Sequence, residues 1–153
     1  MSIDSQVTDR IPHRDPFLWV DRIIAEEPGS IITEKDIPVD LDIFRGHYPG
    51  RPILPGVLLC EAVFQTGALL MASMCSETAS LPAGLPVITK ISNARFKRPV
   101  QPGDTLQMEV ELKETVSSAH FFKGTVRVNA KIALRIDFTA TLVAREKPKT
   151  EVA

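Results

Sequence analysis

The sequence predicts an α+β fold, a curved antiparallel sheet of about six strands wrapped around one central apolar helix. Three observations predict it. From Pro55 to Cys75 the chain is apolar on nearly every helical face, and beyond Gly56 only Gly67 is a helix breaker. A helix of that kind must be surrounded by protein. After Pro86 the pattern changes to long strand-like runs separated by turn residues, of which Thr105–Glu114 alternates cleanly with a two-residue period. Ahead of the helix, two short strand-like runs flank Pro28-Gly29, a turn signal.

Taken in order, residues 1–10 are polar and read as a flexible tail, 11–145 as a single domain, and the charged stretch 146–153 as a second flexible tail. Pro12 and Pro16 keep any helix in Ile11–Leu18 short. Trp19–Glu26 and Ile31–Ile37 form a hairpin. Asp40–Phe44 suits a short helical turn. Pro55 has a fixed φ and no N–H, so it suits the first turn of the long helix. Within that helix, Leu58, Leu59, Val63, Phe64, Leu69, Leu70 and Met71 do not keep to one stripe. Glu61, Gln65, Ala68 and Ala72 do fall on one line, which is the face expected to meet substrate or a partner subunit. Pro82 and Gly84 place a loop over 80–84. Strands follow at Val87–Arg98, Thr105–Glu114, Ala119–Asn129 and Lys131–Ala144. Pro102-Gly103-Asp104 makes one turn, and the last two strands join near Asn129-Ala130. Leu106, Met108, Val110 and Leu112 alternate with Gln107, Glu109, Glu111 and Lys113, so the two faces of the second of these strands are readable residue by residue.

At 153 residues the natural count is one domain, large enough to bury a core. A net charge of −1 argues against general nucleic-acid binding. The polar N-terminus has no apolar signal core. Glu61 splits the apolar helix, and the charge-free run 62–76 falls short of the roughly 20 residues needed to span a bilayer. No membrane insertion and a cytoplasmic location are therefore expected. Cys60 and Cys75 lie roughly 22 Å apart on a straight helix of about 1.5 Å rise per residue. They cannot bridge, and free thiols in a reducing compartment are expected. No second His or Cys stands at ligand spacing, so neither a metal nor another cofactor is expected.

The chemistry concentrates in Gly46-His47-Tyr48-Pro49-Gly50-Arg51-Pro52-Ile53-Leu54-Pro55-Gly56, which runs into Val57-Leu58-Leu59-Cys60-Glu61-Ala62. A stiff loop carries His47 up to a helix N-terminus. Glu61 is the only charge between Pro52 and Ser76. Burial disfavours its ionised form and raises its pKa. A histidine base and a neutral carboxylic acid suit proton abstraction beside a carbonyl with loss of a hydroxyl. The free N–H groups of the helix start, that of Gly56 included, suit a developing oxyanion. On spacing alone the bland reading stays open. A lone loop histidine is often a surface residue, and a lone glutamate can simply bond to backbone.

The literal string resembles the signature of the FabZ-type 3-hydroxyacyl-acyl carrier protein dehydratases of bacterial fatty-acid synthesis. Ile11-Pro12-His13-Arg14-Asp15-Pro16-Phe17-Leu18-Trp19-Val20-Asp21-Arg22-Ile23 resembles that family's N-terminal motif. Ala94-Arg95-Phe96-Lys97-Arg98-Pro99-Val100-Gln101-Pro102-Gly103-Asp104 resembles a third. Long motifs in the right order, over roughly residues 11–145, make a specific signal. The resemblance implies the hot-dog fold, a homodimer that extends the sheet, and three such dimers in a hexamer. It implies a catalytic pair, His47 from one chain and Glu61 from the other. The implied reaction converts a (3R)-3-hydroxyacyl thioester on acyl carrier protein into the trans-2-enoyl thioester. His47 would take the α-proton, the Gly56 N–H would hold the oxyanion, and Glu61 would serve the departing hydroxyl. Gln65, one turn on, either orients Glu61 or packs at the interface.

The acidic carrier protein needs a basic dock, for which Arg95, Lys97 and Arg98 are candidates, flanked by Arg45 and Arg51. The competing reading is a solvated sheet edge. Val63, Phe64 and Phe96 are the candidates to line the acyl site. His13 and His120 read as structural or surface residues. Tyr48, Asp15, Trp19, the Leu41-Asp42-Ile43 lead-in and Phe64 depart from the family's usual residues. A ring at Phe64 narrows an acyl tunnel. The rival functions are a hot-dog thioesterase and a non-catalytic acyl-binding protein. A dehydratase-isomerase ranks lower, because that group usually carries Asp on the helix.

Overall fold

The computed structural model describes residues 5–75 and 84–144. The element order is α1 (Ser5–Thr8), β1 (Arg22–Glu27), β2 (Ser30–Asp36), a 3-10 turn (Asp42–Arg45), α2 (Gly56–Cys75), β3 (Gly84–Phe96), β4 (Thr105–Val116), β5 (Ala119–Val128) and β6 (Lys131–Ala144). The six strands form one antiparallel sheet in the order β1-β2-β4-β5-β6-β3. The long helix α2 lies across it, packed chiefly on β2, β4 and β5. This is the expected hot-dog arrangement.

Local chemistry explains the elements. Pro55 caps α2, its carbonyl accepting the N–H groups of Leu58 and Leu59 at 3.0 and 3.3 Å. On β4, Leu106, Met108 and Val110 are fully buried under α2 while Gln107, Glu109 and Glu111 stay partly exposed. Thr33 of β2 meets Thr66 of α2, hydroxyl to hydroxyl at 2.7 Å. Thr66 donates its proton to Ala62 O at 2.8 Å, so Thr33 must be the donor between them. Buried polar atoms thus tie sheet to helix without a loss. Asn129 and Ala130 both take positive φ, 50° and 65°, as the two-residue turn between β5 and β6 requires.

Three expectations change. Within the stretch read as an N-terminal tail, Ser5–Thr8 form a helical turn, and Val7 is fully buried in the core. Three scattered apolar residues, Met1, Ile3 and Val7, in a polar stretch were too little signal to reveal it. β3 starts at Gly84 and ends at Phe96, so Lys97 and Arg98 lie beyond the strand. Bulges at Ile88/Lys90 and Ser92/Arg95 break its period. By length and composition α2 would cross a membrane over Gly56–Met74, but 61% of that segment is buried inside the protein. The loop expected over 80–84 lies outside the described residues apart from Gly84, and so does the tail 146–153.

Candidate active site

The loop before α2 is closed by its own backbone. His47 N–H donates to Ile43 O at 3.1 Å, and Ile53 N–H donates to His47 O at 3.0 Å. Tyr48 and Arg51 exchange backbone bonds of 3.2 and 2.9 Å across a turn in which Gly50 has φ +72°. The His47 ring is stacked on Tyr48, centroids 4.1 Å apart. Its Nδ1 lies 2.8 Å from Ile53 O. A carbonyl oxygen can only accept, so Nδ1 carries the proton, and in the neutral ring Nε2 keeps a free lone pair. The loop therefore presents a base.

Glu61 sits one and a half turns into α2, its side chain 22% exposed. Burial raises its pKa above the usual carboxylate value, and the hydrogen bond from Gln65 opposes that rise. Gln65 is itself 1% exposed. Its Oε1 accepts Trp19 N–H at 2.7 Å, and its Nε2 donates to Phe17 O at 3.0 Å and Glu61 Oε1 at 3.1 Å. The backbone of residues 17–19 thus fixes which way the amide faces, and the end facing Glu61 is a donor. This hydrogen bond is the contact that one of the two roles expected of Gln65 calls for.

The expected stripe on α2 is corrected. Gln65, Ala68 and Ala72 are buried within the chain, at 1%, 4% and 4% exposure. The open face runs through Val57, Glu61 and Phe64, also at helical spacing. Spacing alone could not choose between adjacent faces of a helix that is apolar all round. Val63, a candidate for the acyl site, has no exposed surface and packs its Cγ1 against Gly124 of β5. It belongs to the core. Phe64 remains on the open face, edge-on to Phe138 at 5.1 Å, and Phe138 stacks on Phe122 at 5.1 Å.

At the start of α2, Gly56, Phe96, Lys97 and Arg98 line a cleft of about 310 Å³. The Phe96 ring is 54% exposed and lies directly over Gly56, where any Cβ would come within 2.8 Å of it. The strand alternation expected to align Arg95 with Lys97 does not apply, because β3 ends between them. Arg95 stays on the strand opposite Arg135.

Among the described residues no hydrogen bond or ion pair joins His47 to Glu61 within the chain. Glu61 has a different imidazole beside it. His13 Nε2 lies 3.8 Å from Glu61 Oε1. Sequence reasoning missed this, because the contact depends on Gln65 holding a segment 46–48 residues away. His120, by contrast, lies at the far hairpin, 3.1 Å from the Thr115 hydroxyl, with its ring 6.3 Å from that of Phe122. Cys60 is buried with a free thiol, its pKa raised mainly by burial. Among the described residues no three His, Cys, Asp or Glu side chains gather as a metal site would need.

The profile of the FabA-like domain matches residues 11–137. The 3-hydroxyacyl-[acyl-carrier-protein] dehydratase FabZ of Caulobacter sp. strain K31 is 43% identical over 95% of this chain and 87% of its own. Its counterpart in Rickettsia massiliae is 40% identical over 93% of this chain and 97% of its own. Among solved structures, the dehydratase heterocomplex ApeI:P from Xenorhabdus doucetiae superposes with a TM-score of 0.78, covering 91% of each chain at 14% identity. An uncharacterized protein from Pyrococcus horikoshii does so at 0.65, covering 95% of this chain and 97% of its own at 15% identity. These two likenesses speak to fold alone.

Proposed function

This chain belongs to the FabA-like family of 3-hydroxyacyl-acyl carrier protein dehydratases, and from that premise we propose that it is a hydro-lyase of fatty-acid biosynthesis. It removes water from a (3R)-3-hydroxyacyl thioester carried on acyl carrier protein and leaves the trans-2-enoyl thioester. The observation that carries the reading is kinship at 43% identity along nearly the whole chain. The free Nε2 of His47 and the half-buried, hard-to-ionise Glu61 supply the chemistry that such a reaction needs.

His47 Nε2 takes the proton from the carbon next to the thioester. The negative charge that moves to the thioester oxygen meets the first N–H of α2, on Gly56, at the positive end of the helix. Glu61 gives its proton to the departing hydroxyl. The family resemblance implies that the pair forms between protomers, with Glu61 of the partner subunit facing His47, and the lack of a His47–Glu61 bond inside one chain fits that reading. Two features suit such a homodimer. β3 is an edge strand with Leu85, Val87, Ile91 and Phe96 exposed, and the Val57–Glu61–Phe64 face of α2 is open. A sheet continued edge to edge satisfies the unpaired backbone of β3, and three such dimers make the hexamer. Lys97 and Arg98, at the cleft above Gly56, together with the exposed Arg95, form the dock for an acidic carrier protein. Phe64 and Phe96 line the acyl path. The reading carries a cytoplasmic location with it.

The test uses 3-hydroxybutyryl and crotonyl thioesters of the carrier protein. Reversible change in enoyl absorbance is the expected result, and release of free thiol would make the protein a thioesterase. Mixing His47→Ala with Glu61→Gln chains tests the shared site. Random pairing restores about a quarter of the activity if each site draws on both protomers, and none if it draws on one.

A further inference from the structure

His13 has no part in the mechanism above, yet its Nε2 lies 3.8 Å from Glu61 Oε1. Its position is built, from both sides. Arg14 clamps the loop, donating to the carbonyls of Thr8, Ile11 and His13 at 2.9, 2.7 and 2.7 Å. Gln65 clamps it again through Trp19 N–H and Phe17 O. The ring's other nitrogen, Nδ1, is buried with no hydrogen-bond partner. A neutral imidazole has one proton to place. On Nδ1 it would be a buried donor with nothing to receive it. On Nε2 it sits on the nitrogen that lies 3.8 Å from Glu61 Oε1. Burial, and then the charge of Arg14, lower the pKa of His13, so the ring is neutral at neutral pH.

We propose that His13 is a positioning residue for Glu61: its Nε2–H and the Gln65 amide converge on the same oxygen and stabilise the carboxylate left when Glu61 gives up its proton. The inference rests on the dehydratase reading for its catalytic meaning, but the contact itself does not. In the step concerned, the O–H bond of Glu61 breaks and its electron pair stays on the carboxylate. The proton goes to the departing hydroxyl, whose C–O bond breaks as the double bond forms. His13 keeps its own proton throughout. The 3.8 Å gap is too long for a hydrogen bond to the neutral acid, and it closes as charge appears on the oxygen. The other ionisable groups around the pair are Arg14, on the loop of His13, and Cys60, next to Glu61 on α2. In the proposed dimer the partner's His47 joins them.

Two measurements on the intact protein test this. In protein labelled with 13C at glutamate carboxyls, the Glu61 signal, assigned by its loss in Glu61→Gln, is titrated in wild type, His13→Leu and His13→Gln. His13→Leu raises the Glu61 pKa by about half a unit, a roughly threefold change in dissociation constant, and His13→Gln, which keeps an N–H, returns it most of the way. The alkaline limb of the dehydration pH profile moves by the same amount in the same variants. Identical titrations in all three proteins would overturn the proposal, as would an upward shift that His13→Gln shares in full. Absence of dehydration in wild type would sink the dehydratase reading instead, and the carboxyl titration would still judge His13.

Discussion

Replacing Gln65 with leucine tests how the site is held. The amide makes three bonds from a position 1% exposed. Leucine fills similar space and suits a helix equally well, so the loss is polar. Trp19 is 5% exposed, and its N–H would be left buried without an acceptor, costing about 1–3 kcal/mol. Phe17 is 48% exposed, so water reaches its carbonyl and that loss is smaller, about 0.5–1 kcal/mol. The bond to Glu61 contributes little to stability, because the carboxyl partly regains water. Burying an extra apolar side chain returns roughly 1 kcal/mol. The net expectation is a loss of about 2 kcal/mol. With a urea slope of about 2 kcal/mol per molar, the midpoint falls by about 1 M. Wild type and variant are compared at equal protein concentration, since assembly shifts apparent stability. A change below about 0.5 kcal/mol would mean that residues 17–19 are held by something other than this amide.

Glu61→Gln removes a carboxyl that burial makes hard to ionise. Its folded pKa lies above the ordinary 4.5, so the stability linked to it is present below that value and is lost as pH rises through the folded value. The variant therefore gains stability relative to wild type as pH climbs from 4 to 8, read by urea unfolding at each pH, and an advantage that shrinks with pH contradicts the assignment. At Gly124 a Cβ would collide with Val63 Cγ1 and lie 3.3 Å from Ile136 Cγ2, both buried. Gly124→Ala should cost about 1–3 kcal/mol, and adding Val63→Ala should lessen the cost of the alanine at 124 by about 1 kcal/mol. Additive losses in that double-mutant cycle would show that the two side chains do not compete for the same space. Phe64→Ala clears the open face beyond Glu61. Each further methylene then buried contributes about 0.8 kcal/mol, so kcat/KM for long acyl chains rises about tenfold or more relative to short ones. An unchanged ratio would place the end of the acyl path elsewhere.

Much of this was legible because it is local. The alternation Leu106, Met108, Val110 encodes which face of β4 is buried, and the structure buries all three completely. Pro55-Gly56 encodes the start of α2, and Asn129-Ala130 the last turn. What was not legible depends on distant partners. In a helix apolar all round, each face looks equally fit for the core, so the open one is set by where the sheet lies. Val63 looks like its neighbour Phe64 in the sequence, but it falls on the face turned to the sheet, where Gly124 leaves it room. His13 acquires its place through an amide dozens of residues away. The strand β3 was misjudged at both ends: its start was placed after Pro86 although Gly84, Leu85 and Pro86 pair with β6, and the bulge at Ser92/Arg95 breaks the period near its end.

In the proposed dimer the strength of the acid depends on assembly. In a single chain Glu61 keeps 22% of its side-chain surface and so retains some hydration of its charge. In the dimer proposed above, the partner covers the Val57–Glu61–Phe64 face and removes that water. Desolvation pushes the pKa further up, while the approaching imidazole of the partner and the Gln65 amide already bonded to the carboxyl hold it down, with His13 3.8 Å away. A carboxyl exposed to water would be ionised at neutral pH and useless as an acid. One buried with no donor would hold its proton too tightly to give it up. The donors are fixed to α2 and to the clamped loop of the same chain, so they are in place before any partner arrives. Dimerisation then supplies the base and the dryness together, and the acid becomes competent only where a base faces it.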